Sequence, residues 1–174
     1  YQDKQDSPEE LTGPLEQNAL FQSWHERNVH SHKRAGYASA TITLKETGVT
    51  PGNVSDAQLD YLADLADTHS FGEIRVSHQQ NIVLADVEQE KLYTLWQQLQ
   101  SQSLASRNLG LLTDLICCPG GDFCALANAR STPIAESIQR TFDDYDELLD
   151  IGEVNINISG CMNACGYHHG GNIG

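Results

Sequence analysis

All five cysteines of this chain fall in two short, glycine-flanked stretches: ICCPGGDFC, from Ile116 to Cys124, and SGCMNACG, from Ser159 to Gly166. The pairs Cys118-x5-Cys124 and Cys161-x3-Cys165 together offer four thiolates, enough to close a tetrahedral zinc site or to hold an iron–sulfur cluster. Structural zinc knuckles space their cysteines by about two to four residues. The longer gap across Pro119-Gly120-Gly121 makes a wider arch, which suits a cage larger than one ion. Gly120, Gly121, Gly160 and Gly166 let backbone amides approach and turn toward inorganic sulfide. Cysteine is also often simply buried, but paired spacing in two turn-rich loops weighs against that reading. Cys117 stands outside both pairs and reads as a buried neighbour.

Other candidate ligands are weaker. His25, His30 and His32 lie close together, yet no cysteine or carboxylate completes a ligand spacing, so they read as a solvated face. The formal charge of −14 argues against a sequence-independent hold on nucleic acid or an anionic membrane, since both need basic patches. No apolar run approaches the roughly 18 residues of a membrane span, and the first thirty residues lack the pattern of an export signal. A reducing, cytoplasmic setting follows, in which clustered cysteines bind metal or do redox work. The chain opens on Tyr1 and stops at Gly174 just past the second cysteine loop, and is expected to be an excised or engineered piece of a longer polypeptide.

The elements that must position these loops can be read from periodicity. Residues 1–14 are polar and acidic and read as a flexible leader. A helical linker follows over 15–35, with Leu20, Phe21 and Trp24 on one side. In GYASATITLKE, Ala38, Ala40, Ile42 and Leu44 alternate with Ser39, Thr41, Thr43 and Lys45, a strand with one face buried. Ser55 and Gln58 form a capping box ahead of Leu59, Leu62, Leu65 and Ala66. Ile74 and Val76 begin a hairpin completed by NIVLADV, and Asp86 is placed to cap a second helix whose stripe is Leu92, Leu95, Trp96 and Leu99. The order β-α-β-β-α over 36–102 is most of a ferredoxin-like split unit, an α+β fold. From about 103 to 174 a smaller α/β segment carries the cysteine loops. Thr132 and Pro133 open a helix with Ile134, Ile138 and Phe142 on one side. EVNINIS, with Val154, Ile156 and Ile158 inward, reads as a strand delivering the second loop. If that strand lies beside the LGLLTDLI run, both loops reach one sheet edge.

Taken together, CCPGGDFC with SGCMNACG resembles the signature of the sirohaem and 4Fe-4S sulfite and nitrite reductases. GYASATITLKETGV, EIRVSHQQNIVLADV and GLLTDLICCPGGDFCALANA look like the C-terminal half of a bacterial sulfite reductase haemoprotein. The resemblance implies that Cys118, Cys124, Cys161 and Cys165 ligate the cluster and that Cys165 also bridges to the sirohaem iron. It places Arg75, Gln80 and Asn81 near the macrocycle, with Ser77 where the family more often has threonine. An arginine fork and amide donors suit the carboxylates of sirohaem. Asn163, His168 and His169 lie beside Cys165; Asn163 reads as turn bonding and the two histidines as surface, although all three could line the pocket.

The resemblance further implies an oxidoreductase of the assimilatory type, carrying out six-electron reduction of sulfite, or of nitrite as an alternative. The partners implied are the absent N-terminal half, a flavoprotein or ferredoxin electron donor and a small oxyanion. The remaining alternatives are a free-standing 4Fe-4S carrier and a zinc-stapled module. No catalytic residue is identifiable, because the cations that would neutralise the oxyanion are expected in the absent half. The segment alone is expected to be inactive.

Overall fold

The computed structural model describes residues 1–6 and 8–174 and divides into two compact units. The first comprises residues 1–43 and 54–107, and the second residues 44–53 and 108–174.

In the first unit, α1 (Glu9–Gln17) and α2 (Ala19–Asn28) precede β1 (Val29–Ser31) and β2 (Tyr37–Thr43). Then come α3 (Asp56–His69), β3 (Arg75–Val76), β4 (Asn81–Glu88) and α4 (Leu92–Gln100). The strands form an antiparallel sheet in the order β1-β2-β4-β3. This is the expected split unit, with β1 added at an edge where the sequence suggested only the end of a helix. The predicted capping box is present: the Ser55 side chain accepts from the Gln58 amide, and the Gln58 side chain returns to the Ser55 amide. The stripe Leu92, Leu95, Trp96 and Leu99 is buried throughout. Phe21 and Trp24 of α2 pack with Tyr93 and Trp96 of α4 as an aromatic cluster.

Several expectations fail for tertiary reasons. Among the described residues of the stretch 1–14 are most of α1 and several engaged polar groups. The Tyr1 hydroxyl donates to Asp86 at 2.6 Å, Lys4 pairs with Glu88, and the Gly36 amide donates to Asp6. Leu20 faces solvent while Phe21 and Trp24 are buried. Asp86 caps no helix. Between the pairs Ala38↔Val87 and Ala40↔Leu84, β4 carries one extra residue, a bulge at Ala85–Asp86. Asp86 is thereby buried, with His32 Nε2 3.2 Å from its Oδ1. In the stretch read as one-sided, Thr41, Thr43 and Lys45 are buried as well. Thr43 donates to the Ser106 carbonyl, and Asn28 donates to the carbonyls of Thr41 and Ser106. Val76 and Leu59, expected inside, are exposed.

In the second unit, β5 (Ile116–Cys117) and β6 (Asn157–Ile158) flank α5 (Thr132–Thr141) and α6 (Tyr145–Ile151). The single helix expected here is two. Asp144 ends the interruption by capping α6, accepting from the amides of Asp146 and Glu147. Ile134 is exposed, and Ala135 takes the inward position; Ile138 and Phe142 pack on a core of Leu111, Leu112, Leu115, Cys117, Leu148 and Ile156.

Candidate functional site

The two cysteine loops are brought together by a very short parallel ladder. β5 and β6 pair in the register Ile116↔Asn157 and Cys117↔Ile158, and the Cys118 amide donates to the Ile158 carbonyl at 3.0 Å. Because the strands are parallel, both chains leave the ladder at the same edge, one into Cys118–Cys124 and the other into Cys161–Cys165. Only Asn157–Ile158 of EVNINIS is strand. Asn157, expected outward, is buried because its amide donates to the Tyr167 carbonyl at 2.9 Å. The chain beyond the second loop is also tied back, by a bridge between Ile156 and Ile173.

The approach to the first loop is pinned by charge. Lys45 Nζ lies 3.1 Å from Asp114 Oδ1, with side-chain exposures of 0% and 5%, and Asp114 Oδ2 accepts from the Gly110 amide. Burial pushes Lys45 below its ordinary range, against the pull of Asp114.

The loops touch through the Gly160 peptide. Its amide donates to Cys118 Sγ at 3.1 Å, and its carbonyl accepts from the amides of Asn128 and Ala129 at 2.9 and 3.0 Å. A Cβ at Gly160 would lie 2.8 Å from the Ala129 carbonyl oxygen and 2.9 Å from Gly120 Cα, so no larger residue fits unmoved. Of the four glycines expected to turn amides toward a cluster, Gly160 and Gly120 donate to Cys118. Gly121 donates instead to the Ala129 carbonyl, and Gly166 to Ser159 Oγ. Asp122 and Arg130 pair across the base of the first loop.

The cysteines are not equivalent. Cys117 is packed in the core, and burial pushes its thiol up to about 11. Cys118 is also buried, which pushes its thiol up, but its hydrogen bonds with Gly160, Ser131 and Gly120 outweigh this and hold it below the ordinary value. Cys124 and Cys161 are half-buried and Cys165 is exposed. Phe123, Leu126, Met162 and Tyr167, in the same loops or next to them, expose most of their apolar surface. Asn163 sits exposed in a turn closed by the Ala164 amide on the Cys161 carbonyl. The His168 and His169 rings lie 4.2 Å apart between centroids, tilted by 53°, in one short turn.

Among the described residues, no three His, Cys, Asp or Glu side chains converge tightly enough for a single ion. The four cysteines of the two pairs lie on hydrogen-bonded loops, with the Gly160 and Gly120 amides directed at one sulfur, that of Cys118.

Arg75, Gln80 and Asn81 share the β3–β4 hairpin of the first unit, whereas the cysteines all belong to the second. Arg75 is exposed, and its hydrogen bond to Glu73 holds its guanidinium above its ordinary value. Gln80 occupies the left-handed region at φ 60°, and its amide donates to the Ser77 carbonyl. Ser77 Oγ accepts from the buried Asn81 amide, so the hydroxyl it shares with threonine is the part this turn uses. Sequence reasoning missed Ser131 and the Lys45–Asp114 pair. Ser131 was legible only as the residue before a helix entry, and Lys45 lay on the strand face read as polar.

Residues 40–102 match the family model described as the nitrite/sulfite reductase ferredoxin-like half domain. The chloroplastic ferredoxin–nitrite reductase of Betula pendula is 28% identical over 95% of this chain and 28% of its own length. That of Zea mays is 31% identical over 87% of this chain and 26% of its own length. Sulfite reductase [ferredoxin] 2 of Mycolicibacterium paratuberculosis is 32% identical over 70% of this chain and 23% of its own length. The chain thus spans about a quarter of these relatives. The structure of the Mycobacterium tuberculosis NirA protein superposes on 82% of this chain and 26% of its own, with a TM-score of 0.60 and 25% identity. No described helix is long and apolar enough to cross a membrane. Residues 40–102 therefore match a nitrite/sulfite reductase ferredoxin-like half domain, and the chain is similar over most of its length to ferredoxin nitrite and sulfite reductases.

Proposed function

We propose that this chain is the cluster-binding part of an assimilatory-type sulfite reductase, which reduces sulfite to sulfide with six electrons at a sirohaem coupled to a 4Fe-4S cluster. The observation that carries this reading is the parallel β5–β6 pairing, which sends both cysteine loops from one sheet edge. Cys118, Cys124, Cys161 and Cys165 would hold the cluster, and Cys165, the most exposed of the four thiols, would be the one nearest the sirohaem. When bound, these groups deliver electrons singly to an iron that holds the oxyanion. Arg75, Gln80, Asn81 and Asn163 supply donors for the carboxylates of the macrocycle. The loop glycines admit backbone close to the cage, and Gly120 and Gly160 direct amides at Cys118.

Nitrite is the second reading, favoured by nitrite reductases among the relatives at similar identity. A ferredoxin donor is inferred from the names of the same relatives, with a flavoprotein subunit as the other possibility. The cations that neutralise the oxyanion are inferred to come from outside this chain, which is itself inactive.

Anaerobic reconstitution with ferrous iron and sulfide tests the cluster. About four irons and four sulfides per chain, with a broad visible absorbance, are expected. A single tightly held zinc and no iron-dependent absorbance would sink the assignment. Adding sirohaem, a reductant and sulfite to the loaded chain is expected to produce no sulfide; production would overturn the proposed inactivity.

A further inference from the structure

Ser131 immediately precedes α5 and belongs to neither cysteine loop, yet it is 1% exposed and its hydroxyl reaches Cys118 twice. Oγ donates to the Cys118 carbonyl at 2.6 Å and lies 3.6 Å from Cys118 Sγ, within the longer reach of sulfur. It is also wedged against the loop: a Cβ on Gly120 would lie 2.2 Å from Ser131 Oγ and 2.7 Å from its amide nitrogen. The hydroxyl therefore sits on the inner side of the first turn, its place set by the start of α5, with the Gly160 amide on the same sulfur. No other cysteine of the four has a side-chain donor among the hydrogen bonds of the described residues.

We propose that Ser131 is a positioning residue for the cluster, fixing Cys118 through its carbonyl and lending a hydroxyl hydrogen bond to its sulfur; the proposal rests on the cluster reading above. A thiol at Cys118 competes for this contact because it can donate its own proton to Ser131 Oγ. A metal-bound thiolate carries no proton, so the one hydroxyl proton of Ser131 is then shared between the Cys118 carbonyl and its sulfur as a three-centre bond. Hydrogen bonds to ligand sulfur stabilise the reduced, more negative cluster and raise its potential. Cys118 is thereby the anchored and tuned ligand, and Cys165 the open one.

Ser131→Ala and Ser131→Thr are compared with the unaltered 174-residue chain after reconstitution with iron and sulfide. The alanine variant is expected to retain a cluster whose midpoint potential is shifted lower. It is also expected to lose one exchangeable-proton coupling in the electron–nuclear double resonance of the reduced state. The threonine variant, which keeps the hydroxyl, is expected to restore both. An alanine variant with unchanged potential and an unchanged set of couplings overturns the role of Ser131. So does an alanine variant that keeps the far-ultraviolet circular dichroism of the parent but loses iron when the threonine variant loses it equally. An unaltered chain that takes up no iron overturns the cluster reading instead, so the two failures are distinguishable.

Discussion

Replacing Asp114 by alanine tests how the first cysteine loop is anchored. Lys45 and Asp114 lie 3.1 Å apart with side-chain exposures of 0% and 5%, so water screens them little. At an effective dielectric constant of about 20, two unit charges 3.1 Å apart attract by roughly 5 kcal/mol. Removing one member of a buried pair costs about 3–5 kcal/mol, because the remaining charge stays away from water. Part of that cost is relieved in Asp114→Ala, since Lys45 is already below its ordinary pKa and can shed its proton. The variant is therefore expected to lose about 3 kcal/mol in urea unfolding followed by far-ultraviolet circular dichroism. Lys45→Met/Asp114→Leu is expected to recover most of it, as an apolar pair of similar volume replaces an ion pair without stranding a charge. The transition is to be fitted for both units, because they need not unfold together. A loss below about 1 kcal/mol for Asp114→Ala, or a double variant no more stable than the single one, would refute the reasoning.

Cys118→Ala is expected to abolish iron uptake and Cys117→Ala to preserve it, since burial keeps Cys117 a protonated thiol in the core; iron and sulfide analysis decides. Gly160→Ala places a Cβ 2.8 Å from the Ala129 carbonyl oxygen and should cost about 1–3 kcal/mol from the forced shift. Amide exchange at Asn128 and Ala129 should accelerate, and unchanged protection would contradict the clamp. Burial lowers the pKa of His69, and likewise that of His25, below the ordinary histidine value of about 6.5. The unfolded chain therefore binds more protons near that value, and stability is present above it and lost as pH falls through it. The unfolding free energy should decline from pH 7.5 to pH 5.5, and His69→Gln should flatten that decline; an unchanged slope counts against it.

The covalent sequence determined which groups could do chemistry here. Cysteine content and spacing belong to the chain, and so do the capping box at Ser55–Gln58 and the stripe of Leu92, Leu95, Trp96 and Leu99, which depend on contacts within about four residues. The tertiary structure decided the rest. A two-residue ladder, Ile116–Cys117 on Asn157–Ile158, joins segments some forty positions apart and carries no periodic signal of its own. Thr41 and Lys45 look solvated by alternation and are buried, Lys45 against Asp114 far along the chain. Asp86 looks like a helix cap and is a bulge residue because β4 carries one residue more than β2 across that step. Ser131 acquires its two bonds to Cys118 only because α5 begins against the first loop. Local periodicity encodes which face of an element is apolar. Which distant backbone meets which side chain is set by packing and by the need to satisfy every buried polar group, and neither is written in any short stretch of residues.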